Sequence, residues 1–380
     1  MRKTPAMTLL AISADSHVTE PGDCYVDRID PRFRDRAPVA VTDPNLGAVM
    51  DIDNGKSRIP YGMVAAAGRP AEKIGPHVHV GWEELHPGGW DARARLAEQD
   101  RDGVAVEVLY PSVGMILCNH EDTDYKVACF DAYNQWLTEY TSAAPQRLVG
   151  IGQTALRSVR EGIDDLVRIK ELGLAGVMLP GFAACWEDGD YDDPCWDPFW
   201  RACAELELPP SFHILTGGPA LGGNQFRGPK MNGFLGIIRG CQDIIGTLVF
   251  GGVFDRVPEL KVVCVEADAG WAPHWMYRAD HALDRHRNWL TAAPLRRKPS
   301  EYFRDHVYLT FQDDWVAFQV THLLDHHRLM WASDHPHSDA TFPESQAVLA
   351  AQTAHLAEDV RDDIIWRNCA DLYGLTVPAV

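Results

Sequence analysis

LMWASDHPHS, residues 329–338, is an apolar run that ends in a carboxylate, Asp334, followed at once by His335, Pro336 and His337. The first four residues have the composition of a short buried strand. A carboxylate at the end of such a strand, with imidazoles beside it, is a common way to build a metal or proton-transfer site. On this stretch alone, Asp334 could equally cap the next segment, with the histidines as loop residues. Two other apolar strands end in the same way. PPSFHIL, residues 209–215, carries His213, and LLAISADSH, residues 9–17, carries Asp15 and His17.

Between these stretches the chain alternates. Apolar runs predict strands over 8–15, 104–111, 147–156, 175–180, 209–215, 261–268, 307–312 and 329–334. Helical spacing covers 91–102, 124–145, 158–173, 197–208, 234–258, 270–290, 315–327 and 345–375. Continuous apolar strands alternating with amphipathic helices signal a parallel sheet with both faces covered. Eight such units in 380 residues predict a (β/α)8 TIM barrel in a single domain spanning 1–380. A doubly wound open sheet is the structural alternative. It is weakened because no glycine-rich phosphate loop follows the first strand. Residues 21–90 lack helical periodicity and are rich in Pro, Gly and Asp. They read as a long insertion after strand 1, with a hairpin around Asn54-Gly55, lying over one end of the domain.

Composition narrows the function classes. Lys+Arg 35 against Asp+Glu 54 gives a net charge of −19, which argues against nucleic acid or an anionic membrane as the main partner. A small anionic substrate stays compatible, because a bound dication and a few local cations can reverse the field inside a pocket. The nine cysteines form no C-x-x-C pair, which predicts free thiols and a reducing, cytoplasmic compartment. The basic start and short apolar stretch of MRKTPAMTLLAIS read as the first strand, not a targeting segment. No apolar run is expected to approach membrane-spanning length.

In a barrel of this kind the active site lies at the C-terminal ends of the strands. Strand one ends at Asp15-Ser16-His17, strand five at His213, strand six at Glu266-Ala267-Asp268 and strand eight at Asp334. Two imidazoles and two carboxylates suit a divalent ion, zinc first and manganese second, with positions left for water or substrate. Asp15 and His17 stand two apart on a strand, so both point to one face. These strand-end residues are therefore the candidate ligands and proton-transfer groups.

Three segments carry a family resemblance: ADSHVTEP at 14–21, YDDPCWDPFWRACAELELPPSFHI at 191–214 and LMWASDHPHSDATFP at 329–343. In order and spacing they resemble the amidohydrolase-related family, in the branch of aminocarboxymuconate semialdehyde, resorcylate and carboxyvanillate decarboxylases. The resemblance implies an amidohydrolase-type barrel with one divalent metal, and a homodimer or larger assembly. The family's first strand supplies His-x-His or Glu-x-His, so here Asp15 stands in for the first ligand beside His17. His213 and Asp334 match the ligands of strands five and eight. The family's decarboxylases place a histidine at the end of strand six, where this chain has Glu266. That departure implies a carboxyl group handling the proton, a further ligand, or different chemistry.

The leading reading is a metal-dependent decarboxylase of a small aromatic or conjugated carboxylic acid. The runner-up is a hydrolase that uses a metal-activated water on the same scaffold, with Asp334 or Glu266 as base. A third is a catalytically silent binding barrel. Glu20 reads either as a hydrogen-bond partner of a ligand or as a cap at Pro21. His77, His79 and His86 are expected in the insertion, His274 as a packed or surface residue, and Trp82, Trp90, Trp186 and Trp271 mainly as packing residues.

Overall fold

The computed structural model describes residues 9–185, 189–217 and 228–377. Trp186, residue 8 of the first expected strand and the middle of the 216–233 loop lie outside the described residues. Eight strands form one parallel sheet: β1 (Ile12–His17), β5 (Val106–Tyr110), β6 (Leu148–Gln153), β7 (Gly176–Leu179), β8 (Pro210–His213), β9 (Val262–Val265), β10 (Val307–Phe311) and β11 (Leu329–Trp331). Every residue in all eight is buried. That is why these strands read as continuous apolar runs, without alternation. The sheet runs in chain order from β1 to β11. It closes where Asp334 N donates to Asp15 O (3.0 Å) and His17 N to His335 O (2.8 Å). The expected TIM barrel is therefore the observed fold.

Helices cover the outside, and their ends follow local chemistry. α1 (Ala92–Asp102) starts where the Asp91 side chain accepts from the N–H groups of Arg93 and Ala94. It stops at Gly103, whose φ of +71° suits glycine. A short α2 (Val113–Leu117) follows β5, and α3 (Thr123–Thr141) is capped by Asp122. α4 (Val159–Glu171) begins with the Ser158 hydroxyl accepting from Glu161 N. α5 (Asp197–Glu205), α6 (Phe234–Phe250), α7 (Ala272–His286) and α8 (Ser345–Thr353) complete the larger helices.

The insertion holds more structure than a hairpin. β2 (Val39–Asp43), β3 (Gly47–Ile52) and β4 (Ser57–Pro60) form an antiparallel sheet. Its second turn runs through Asp53, Asn54 and Gly55, all at positive φ, as the Asn-Gly pair predicts. Ala67 N donates to Pro336 O (3.0 Å) and Ser338 N to Met63 O (3.2 Å), so the insertion lies against the C-terminal ends of the strands.

Three expectations are corrected. The helix expected over 315–327 is confined to Trp315–Gln319, because Asp325 caps a separate 3-10 turn at His326–Arg328. The last helix breaks after Thr353 and resumes at Glu358. The Thr353 hydroxyl bonds back to Leu349 O (2.7 Å), a contact that competes with the backbone ladder. Finally, residues 231–250 are long and apolar enough to cross a membrane by length and composition, and less than half of that stretch is buried here.

Candidate metal centre

Four strand ends converge as the barrel geometry requires. Asp15 and His17 lie on β1, His213 ends β8, Glu266 follows β9, and Asp334 lies just beyond β11. β1 carries a bulge: Ser13 to Ser16 faces a stretch of β5, Glu107 to Leu109, that is one residue shorter. A bulge beside a site re-aims side chains. Here Asp15 Oδ1 comes 3.4 Å from His17 Nε2. Glu266 and Asp334 have φ of +54° and +57°, a costly conformation for residues other than glycine. Strain at two strand ends of one mouth is the kind that clusters at functional sites.

The donor atoms face one point. His213 Nε2 lies 3.3 Å from His17 Nε2. Glu266 Oε2 lies 3.2 Å from His213 Nε2 and 3.6 Å from His17 Nε2. Asp334 Oδ1 is 3.4 Å from His17 Nε2, and Asp15 Oδ1 is 3.7 Å from His213 Nε2. Ligands ~2.1 Å from one ion stand ~3.0 Å apart at right angles and ~3.4 Å apart in a tetrahedron. The observed separations, 3.2–3.7 Å, reach from within that range to just beyond it.

Orientation of the rings supports the same reading. His17 Nδ1 lies 3.1 Å from Pro111 O, and His213 Nδ1 lies 3.1 Å from Ile214 O. Both carbonyls can only accept, so the proton sits on Nδ1 and each Nε2 turns a lone pair to the centre. Asp15 Oδ1 and both Asp334 oxygens are buried without a hydrogen bond, although His337 Nδ1 stands 3.0 Å from Asp334 Oδ1. Buried carboxylate oxygens of this kind are costly unless a cation meets them. A single divalent ion fits this donor set.

Electrostatics follow from burial and crowding. Burial pushes the Asp334 carboxyl well above the usual range, and the Glu266 and Asp15 carboxylates add to it. Glu266, with 12% of its side chain exposed, is raised by burial to about 8. Burial opposes protonation of His213, but the Asp15 and Glu266 carboxylates override it and carry the imidazole up to about 9. His17 is pushed down by burial and by His337 and His213.

Some supporting residues had no sequence signal. Arg95 is wholly buried on α1, donating to Glu107 Oε2 (2.5 Å), His17 O (2.7 Å) and His335 O (2.9 Å). It ties the closing seam of the barrel beneath the centre. Arg95→Met leaves Glu107 as an uncompensated buried charge, for an expected loss of about 3–5 kcal/mol in denaturant unfolding. His337 stacks on His17 with ring centroids 3.7 Å apart, and His335 Nε2 binds Glu98 Oε2 (2.8 Å). Glu20 touches neither imidazole. Its carboxylate accepts from the N–H groups of Ser112, Val113 and Gly114 at the start of α2, beside the Pro111 carbonyl that orients His17. His77, His79 and His274 are exposed. Trp82 and Trp90 pack edge to face, and Trp271 Nε1 donates to Ala267 O (2.7 Å).

Comparison with known proteins agrees with this construction. A sequence model of the family described as Amidohydrolase matches residues 74–375. The chain is 23% identical over 299 residues to a 2-amino-3-carboxymuconate-6-semialdehyde decarboxylase of Dictyostelium discoideum, covering 77% of this chain and 79% of that protein. Among solved structures it resembles amidohydrolase map2389c of Mycobacterium avium subsp. paratuberculosis K-10. That match has a TM-score of 0.78 and 19% identity, over 97% of this chain and all of that one. It also resembles the dihydroxybenzoic acid decarboxylase of Polaromonas sp. JS666, solved with bound manganese and the inhibitor 2-nitroresorcinol. There the TM-score is 0.62 at 17% identity, over 96% and 97% of the two chains.

Proposed function

The chain belongs to the amidohydrolase family, and from that premise we propose that it is a metal-dependent decarboxylase of a small aromatic or conjugated carboxylic acid. The observation that carries this reading is the set of five ligand-type side chains from four strand ends, with carboxylate oxygens of Asp15 and Asp334 buried and unbonded. The decarboxylases to which the chain is similar support the reaction type.

Asp15, His17, His213 and Asp334 are the proposed ligands of one divalent ion. When bound, the ion supplies charge stabilisation at the substrate carboxylate and a neighbouring hydroxyl or carbonyl oxygen. With two carboxylates beside two imidazoles, the donor set takes zinc and is also suited to manganese. His17 and His213 hold fixed Nε2 donors. Glu266, raised to about 8, carries a proton near neutral pH and stands among the ligand atoms. It is the proposed acid: its proton goes to the carbon bearing the carboxylate, the C–C bond breaks, and its electron pair restores conjugation as CO2 leaves.

The same glutamate supports one second reading, a hydrolase. A carboxyl group beside the ion is also placed to take a proton from water. The test is metal analysis of protein purified without chelator, followed by a panel of hydroxybenzoic acids and their amide or ester counterparts. About one divalent ion per chain and CO2 release from the acids are expected. Hydrolysis without CO2 release would select the second reading, and no metal after reconstitution would sink both.

A homo-oligomer is part of the proposal. Met231, Phe234 and Leu235 stand 77%, 66% and 68% exposed around the start of α6, an apolar surface of the kind that subunits cover. Light scattering is expected to give a dimer or larger. We propose a cytoplasmic location, a reading supported by seven buried free thiols.

A further inference from the structure

A cavity of about 410 Å³ is lined by Cys118, Asn119, Thr123, Lys126, Phe182 and Thr216 among others. These residues follow the C-terminal ends of β5, β7 and β8, so the cavity belongs to the mouth of the barrel. Its wall is joined to the centre. The Thr216 hydroxyl donates to His213 O (2.8 Å), and Asn119 Nδ2 donates to Leu215 O (2.8 Å).

Lys126 is the unusual member of this wall. It is only 6% exposed. Among the described residues no carboxylate stands within ion-pair distance of its ammonium group; Glu121, on the same wall, makes no such pair. Burial lowers its affinity for a proton. It also sits in the first turn of the 19-residue α3, where the helix dipole disfavours a cation. Burial and the dipole oppose it, and among the described residues only the Cys118 thiol works the other way, with no carboxylate paired to it.

The rest of the mouth is unlike this side. Asp268, Asp314 and Asp339 follow β9, β10 and β11, and burial, then the Asp314 and Asp339 carboxylates, raise the Asp268 carboxyl to about 6. An anionic ligand is repelled from that half of the mouth and attracted to the half that holds Lys126.

We propose that Lys126 is a binding site for a second anionic group of the substrate, so that the acid held at the metal centre is a diacid spanning from the ion into this cavity. The assignment rests on the metal-centred reading only for the far end of that substrate. A buried ammonium facing a cavity gains a charge-assisted hydrogen bond when a carboxylate enters, and loses the cost of standing alone.

The test uses Lys126→Met and Lys126→Arg, with isophthalate and glutarate as diacid probes and benzoate and butyrate as matched monoacids. Binding is measured by calorimetry on manganese-loaded and on metal-free protein, and thermal melting checks the fold. Lys126→Met is expected to melt at or above the wild-type temperature. It should bind at least one diacid tenfold or more weakly, while the loaded protein keeps its monoacid affinity. Lys126→Arg should stay within threefold of wild type. In metal-free protein the diacid should still lose affinity on Lys126→Met. If that loss persists while manganese adds nothing for any probe, the metal-centred reading fails and the Lys126 site stands. Unchanged diacid affinity in folded Lys126→Met overturns the proposal, as does a wild-type protein that binds no diacid better than its monoacid.

Discussion

Asp334→Asn is expected to remove the metal and, in the same protein, to raise the melting temperature of the metal-free form. The two effects have one cause. Asp334 is wholly buried, and both its oxygens lack a hydrogen bond. Glu266 and Asp15 add their negative charge to the same space. Without the ion, Asp334 stands in that field with no hydrogen bond and stays only by keeping its proton, at a cost to the fold. An amide of the same shape ends that conflict. It also removes the charge that the ion needs. Metal affinity is expected to fall by more than the 10–100-fold typical of an outer-shell change. Turnover should fall with it. The checks are metal content by elemental analysis and melting with and without added manganese. Wild type should gain on the order of 4 kcal/mol at a thousandfold excess of ion over its dissociation constant, and Asp334→Asn almost nothing. A variant that retains one ion per chain, or melts well below metal-free wild type, would show that Asp334 serves the fold instead of the ion. A site whose removal stabilises the protein has been kept at the expense of stability.

The barrel was legible because every barrel strand is buried throughout, so each appears as an uninterrupted apolar run. LMWA and PPSFHIL are examples. The ligand candidates were legible for a related reason: an ionisable residue is conspicuous when it ends such a run. Asp15, His17, His213, Glu266 and Asp334 all do so. Arg95 and Glu107 were not legible. Arg95 lies in DARARLAEQDRD, where a buried arginine looks like its exposed neighbours, and only the closing seam of the barrel explains it. The role of Glu20 was hidden because its partners are backbone N–H groups 92–94 residues away. Lys126 escaped notice because a lysine near the start of a helix is ordinary on a surface, and only the packing of α3 against the cavity makes it costly. The helix expected over 315–327 failed for the opposite reason, since the local cap at Asp325 starts a separate turn inside the helical pattern.

The metal-free protein should lose stability as pH rises from about 5 to 9, and the loaded protein should not. Glu266 is the first contributor. Its carboxyl is raised from 4.5 to about 8 by burial, against which the neighbouring His213 works in the other direction. His213 is the second, carried from 6.5 to about 9. For both groups the folded state binds more protons than the unfolded chain between the two values. Their stabilising contribution is therefore full at the lower pH, and it is lost as pH climbs through the folded value. Each group contributes a slope of up to ~1.4 kcal/mol per pH unit within its window. His337, lowered to about 3, and His335, lowered to about 4, contribute on the acid side, below 6.5, and leave the alkaline limb unchanged. An ion at the centre displaces the protons of its ligands His213 and Asp334 and leaves Glu266 its own. Its apparent affinity should therefore rise steeply with pH, by up to tenfold per pH unit for each proton released. Two measurements check this together: melting of the chelator-treated protein from pH 5 to 9, and proton release on adding manganese in weak buffer at pH 7. A falling melting temperature with one to two protons released per ion is expected. A flat profile with no proton release would mean that Glu266 and His213 hold no extra protons in the metal-free fold, and Glu266 would then lose its proposed role as the proton donor.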